Sequence, residues 1–111
     1  MPVYHRGQVL EVFYPDGKGG LKTRPVVVLH TTQKKGDAIS VYCTTQNDGD
    51  DDNCIFVEFE STEGKEMGLK KDTYIRPKVI KTIDAKFVVR PMGKCPYMQK
   101  IQQIIDKNMG M

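Results

Sequence analysis

The hydrophobic positions of this chain fall into short, β-branched runs, each closed by a cluster of glycine, proline, asparagine or aspartate. That pattern belongs to a small sheet or barrel, not a helical bundle. In "GQVLEVFY" (7–14), Val9, Glu11 and Phe13 alternate against Leu10, Val12 and Tyr14, and "PDGKGG" breaks the run, so a strand followed by a loop is expected. "RPVVVLH" (24–30) is apolar without interruption. It predicts a central strand buried on both faces, with Pro25 confined to its first positions because proline brings no N–H to a ladder. "QKKGD" turns the chain and "AISVYCT" (38–44) returns as a third strand. After the polar, acidic "TQNDGDDDN", a fourth strand, "CIFVEFE" (54–60), has the alternation of a half-exposed strand.

Beyond the connector "STEGKE", "GLKKDTYIRPKVIKTID" (68–84) predicts two short extended pieces broken at Pro77, and "KFVVRPMG" (86–93) one more. Pro96 sits where a first helical turn tolerates proline. Met98, Ile101, Ile104, Ile105 and Met109 then recur at three- and four-residue steps up to Gly110, which predicts one amphipathic C-terminal helix packed on the sheet. The expected fold class is mainly β with minor α, a small β-barrel with a C-terminal helix.

A length of 111 residues fits a single domain over 1–111, and 39% hydrophobic with 28% charged residues is ordinary for a globular protein. The net charge of +3 is compatible with a nucleic-acid partner without requiring one. Cys43, Cys54 and Cys95 are widely spaced and odd in number, which points to reduced thiols and away from a disulfide framework or a zinc site. The start "MPVYHRGQ" has no apolar signal region and no window suits a membrane span, so the expected compartment is the cytoplasm, with no membrane partner.

Several motifs fail on inspection. Asp48, Asp50 and Asp52 are spaced like the start of a calcium loop, but its sixth and twelfth positions hold Asn53 and Phe59 where glycine and glutamate are required. "GKGG" lacks the GK[ST] of a phosphate-binding loop, and His5 and His30 have no sequence logic that pairs them. What remains is cations and hydroxyls at strand ends. If strands two and three form an antiparallel hairpin, the start of one lies near the end of the other, and Arg24 meets Thr44 at one rim. A forked, permanently charged donor beside a hydroxyl suits a phosphate and the extra charge of a phosphoryl transition state. A structural ion pair at Arg24 and a turn cap at Thr44 are the competing reading, and both stay open at this point.

Together, "GQVLEVFY", "KTRPVVVLH", "ISVYCTTQ" and "GLKKDTYIRPKVIKTID" followed by a short helix resemble the MazF/PemK (Kid) family of toxin–antitoxin ribonucleases over nearly the whole chain, most specifically in "RPVVVL", "CTTQ" and "IKTID". The resemblance implies an SH3-like β-barrel with a C-terminal helix, a homodimer, inhibition by a cognate antitoxin, and cofactor-free, metal-independent cleavage of single-stranded RNA. It places the family's catalytic arginine on Arg24 and its catalytic threonine on Thr44, with Thr45 and Gln46 beside them as substrate contacts. Lys70, Lys71, Arg76 and Lys78 are expected along the RNA path, with Tyr14 or Tyr74 as a surface for stacking an unpaired base.

Two departures bear on chemistry. Relatives of the Kid type have an arginine and, two residues on, an aspartate before "RTID"; Arg76 matches the arginine, but Lys78 stands where the aspartate would be. The first loop also departs from the acidic "DFDP" and "GSEQ" of many members, so no cleavage motif carries over. Lys78 in place of that aspartate keeps a rival open: a non-catalytic nucleic-acid binder or gyrase poison of the CcdB type on the same barrel. A peptide-binding SH3-like module is disfavoured because the chain has no tryptophan.

Overall fold

A computed structural model of the chain describes residues 4–15, 20–31, 37–46 and 53–108. Six antiparallel strands form a single sheet: β1 (Gln8–Pro15), β2 (Leu21–Thr31), β3 (Ala38–Thr44), β4 (Ile55–Val57), β5 (Thr73–Ile83) and β6 (Val88–Lys94). Their order across the sheet is β4-β5-β3-β2-β1-β6. The expected barrel is therefore a curled half-barrel, with β4 and β6 at its two edges. Helix α1 (Thr62–Met67) links β4 to β5, a 3-10 turn over Ala85–Phe87 precedes β6, and α2 (Met98–Asn108) follows it. Met109, assigned to the helix from its spacing, lies outside the described residues.

The valine run of β2 explains the architecture. Successive strand residues point to opposite faces, so an unbroken triplet demands cover on both. Val27 joins the larger core with Val9, Val41, Cys43, Met67, Ile75 and the helix residues Ile101 and Ile104. Val26 and Val28 join a smaller core on the other face with Tyr4, Leu10, Val12, Ala38 and Ile83. Each fully buried valine contributes about 1.5 kcal/mol or more.

Three expectations are corrected. Pro25 is not among the first residues of its strand: β2 starts at Leu21, and Pro25 pairs with Glu11 of β1. The ladder to β3 begins only at Val26↔Tyr42, so the missing N–H costs no bond on that side. Nor does Pro77 break the chain into two pieces. β5 runs through it, and the register with β3 jumps from Val41↔Ile80 to Tyr42↔Arg76, leaving Pro77, Lys78 and Val79 in a bulge where a missing donor is tolerated. The fourth strand is shorter than the alternation of 54–60 suggested, ending at Val57.

The connector "STEGKE" contributes the unforeseen helix α1. Ser61 caps it, its Oγ accepting from the Gly64 N–H at 3.0 Å, and Gly68 closes it at φ 75°. Six residues are too few for a hydrophobic period to show, which is why this helix escapes a pattern reading. A Cβ on Gly68 would collide with the Met92 carbonyl of β6, so this position needs glycine both for its left-handed backbone and for close packing.

Replacing Gly68 with alanine should lower stability by about 1–3 kcal/mol, read as a lower urea midpoint. Ile101→Ala, which empties a wholly buried site under α2, should cost about 2–5 kcal/mol by the same measurement.

Candidate functional site

The sheet opens where β2 and β3 part. Their ladder runs from Thr31↔Ala38 to Val26↔Tyr42 and stops there, while β1 continues to hold β2 as far as Pro15↔Leu21. Two residues past the last pair, Arg24 and Thr44 stand in line across the gap. A groove of about 330 Å³ occupies this splayed end, and Arg24, Pro25, Thr44 and Thr45 line it together with Lys70 and Lys71. Lys22 adds a further cation and Glu11 is the one carboxylate among its described lining residues.

Arg24 is half-buried, and its guanidinium carbon lies 5.8 Å from the centre of the Tyr42 ring. Such a contact contributes about 0.5–1 kcal/mol and, more usefully, limits where the side chain can go. Among the described residues Arg24 pairs with no carboxylate, so the structural ion pair that competed with a phosphate grip is not formed there. The turn cap at Thr44 is formed: its Oγ1 accepts from the Gln46 N–H at 3.2 Å, and the residue is only 7% exposed. This bond uses a lone pair. The hydroxyl hydrogen has no acceptor among the described residues, so capping and donation toward the groove are compatible.

Directly paired residues of antiparallel strands share a face. Thr44 pairs with Tyr74, and Tyr74 with Phe56, so a row crosses the sheet from Arg24 through Thr44 and Tyr74 to Phe56. In the next row on that face Val26 pairs with Tyr42 and Tyr42 with Arg76, which sets the Arg24–Tyr42 contact on a cross-strand diagonal. By the same rule Glu11 belongs to the opposite face of the sheet from Arg24, because it pairs with Pro25 while Arg24 pairs with Val12, and it lines the groove from that face together with Pro25. Its Oε1 accepts from Arg90 Nε at 3.1 Å, a partly exposed ion pair that contributes at most about 1 kcal/mol and orients the carboxylate.

A family model described as the PemK-like, MazF-like toxin of type II toxin–antitoxin systems matches residues 5–108. The chain belongs to the PemK/MazF toxin family. No curated protein sequence matches it. Among solved structures, an endoribonuclease in complex with its cognate antitoxin from a mycobacterial species superposes with a TM-score of 0.65 at 19% identity, covering 100% of this chain and 97% of the other. At that identity the likeness speaks to the fold.

With the PemK/MazF family in place, the candidate residues separate. Arg24, Thr44, Thr45, Lys70 and Lys71 come together at the groove. Gln46 is exposed beside it, committed through its N–H to Thr44. Arg76 shares the Arg24 face by register and is half-buried. Lys78 is exposed but falls in the Pro77 bulge, where alternation is interrupted, so the register does not bring it into that row. The side chain of Tyr14 lies outside the described residues. Tyr42, Phe56, Lys22 and Glu11 were missed. Tyr42 carried a usable signal, since it stands two residues before Thr44 and therefore on the same face. Lys22 and Glu11 depended on where β2 begins and what it pairs with. Among the described residues no group of three His, Cys, Asp or Glu side chains stands where it could hold a metal ion, and no helix is long and apolar enough to cross a membrane.

Cys43 also lines the groove, yet it is fully buried. Burial pushes its thiol far above the ordinary range, and neighbouring Cys95 adds to the shift, so Cys43 is not a nucleophile at neutral pH. A thiol reagent at pH 8 should leave Cys43 unlabelled until the chain unfolds. The stability linkage has a definite sign: below the ordinary thiol pKa of about 8.5 both states keep the proton, and above it only the folded state does. Stability should therefore fall as pH rises past about 8.5, by up to about 1.4 kcal/mol per pH unit for this thiol, and Cys43→Ala should show a shallower fall in urea unfolding.

Proposed function

We propose that the chain is a sequence-preferring, metal-independent endoribonuclease toxin of the cytoplasm that acts as a homodimer on single-stranded RNA and is held silent by a cognate antitoxin. The observation that carries this reading is the convergence of Arg24 and Thr44 on one open groove rimmed by Lys22, Lys70 and Lys71. Family membership supports it, as does the similar fold of an endoribonuclease found with its antitoxin.

In the reaction the 2′-OH beside the scissile phosphate gives its proton to water and its oxygen attacks phosphorus. The P–O5′ bond breaks, and the departing oxygen takes up a proton, giving a 2′,3′-cyclic phosphate and a 5′-OH. Arg24 offsets the extra charge on the pentavalent phosphorus with two parallel donors held by the β1 ladder and the Tyr42 ring. A guanidinium is a permanent cation and a poor proton donor, so the part of Arg24 is electrostatic and the proton for the leaving oxygen comes from water. Thr44 donates its hydroxyl hydrogen to a non-bridging oxygen. Thr45, Gln46, Arg76, Lys78 and Tyr14 contact the substrate.

Purified protein should cut unstructured RNA in EDTA and leave cyclic-phosphate ends, detected by their resistance to ligation until the cyclic phosphate is removed. Arg24→Ala and Thr44→Val should each lower kcat by roughly 10²- to 10³-fold with folding intact. A folded protein that cuts no RNA would refute the reading. One observation favours a second reading, a non-catalytic nucleic-acid binder or gyrase poison: the row from Arg24 to Phe56 carries no carboxylate, the one described carboxylate lining the groove, Glu11, is paired with Arg90, and Lys78 replaces the aspartate of relatives. Inhibition of DNA supercoiling without RNA cleavage would select it.

A further inference from the structure

Phe56 is one of several large apolar side chains left exposed. It is 46% exposed on the short edge strand β4, while its neighbours Ile55 and Val57 are buried. An outward position on a half-covered strand is ordinarily polar, and Phe56 belongs to neither core. Its ring instead lies 4.8 Å from that of Tyr74, centre to centre, inclined at 42°. The pair contributes about 0.5–1.5 kcal/mol beyond burial, and it holds Phe56 in place while leaving it open to solvent.

We propose that Phe56 and Tyr74 form a platform on which one unpaired base of the RNA substrate stacks, a subsite that rests on the ribonuclease reading above. The placement argues for it. Phe56 pairs with Tyr74 and Tyr74 with Thr44, so the rings lie on the same face and in the same row as the hydroxyl and guanidinium that would hold the scissile phosphate. At about 4.8 Å per strand, Phe56 stands roughly 14 Å from the Arg24 strand, suited to a base flanking the cut and not to the cut itself. Charge sets the path of the backbone. Arg76 flanks Tyr74 on the same face, and Glu58 and Asp72 stand one step past the row on the other side, with Asp72 accepting from the Phe59 N–H at 3.0 Å. Phosphates linking the stacked base to the groove are attracted along the Arg76 and Arg24 side. Aromatic rings interleaved with cations are what single-stranded RNA needs, since every base offers a π-face.

The chain has no tryptophan, so Phe56→Trp supplies both a conservative replacement and a unique fluorophore. Its emission should be quenched by a 2′-O-methyl single-stranded RNA, which cannot be cleaved, and quenching should vanish when one base flanking the cut is made abasic. In cleavage assays Phe56→Ala should lower kcat/KM by roughly 5- to 150-fold, mainly through KM. Phe56→Leu should behave like alanine, and Phe56→Trp should retain activity. Quenching that survives every abasic substitution overturns the platform. So does an unchanged kcat/KM in Phe56→Ala while the wild type cleaves, or rescue by leucine. A change in oligomeric mass in Phe56→Ala with RNA binding intact would assign the ring to a subunit contact, and loss of antitoxin binding alone would assign it to that partner; either overturns the proposal. Base-dependent quenching without cleavage by the wild type would keep the platform and remove the ribonuclease reading, so the two fail separately.

Discussion

Strand β2 is held on both sides and both faces over Val26–Val28 but on one side alone over Leu21–Pro25, and the candidate site exists because of that difference. The valine triplet cannot shift by one residue without exchanging its two cores, since a single-step slip reverses every side chain. The anchored half therefore dictates where Arg24 stands, two residues before the first β3 pair. Had β3 kept pairing, its backbone would fill the gap that Arg24 and Thr44 line. Proline at position 25 fits this junction, where a full complement of ladder donors is not required.

The same economy recurs at Thr44. Its hydroxyl closes the bend that ends β3 through the Gln46 N–H and keeps a hydrogen to give, so the group that terminates the strand can also face a substrate. Arg24 is similarly restrained, by β1 on one side and the Tyr42 ring on the diagonal. Preorganised donors of this sort act more strongly on developing charge than mobile ones, because little reorganisation is left to perform. Stability is concentrated elsewhere, in the two cores and the close seating of α1 on β6 at Gly68 and Gly93, which leaves the splayed end free to hold polar and charged groups.

Much of the fold was legible along the chain. Unbroken valines marked the doubly covered strand, "QKKGD" implied an antiparallel return, and the isoleucine spacing after Pro96 marked the helix that covers the larger core. Helix α1 was not legible, because it depends on a serine cap and a glycine stop and not on a period. The continuity of β5 was not legible either, because proline reads as a breaker unless the neighbouring strand offers a bulge to receive it.

The sequence by itself determined the two-faced burial of β2, the antiparallel return to β3, and hence the meeting of Arg24 with Thr44, since these follow from side-chain alternation and turn chemistry within a short stretch. Only the tertiary structure decided which residues from distant segments join them: Tyr42 beneath Arg24, Lys70 and Lys71 at the rim, and Phe56 at the far end of the Thr44 row. Those neighbours depend on register across β3, β5 and β4 and on a bulge at Pro77. Register arises from packing between strands, so it is not written in any one of them.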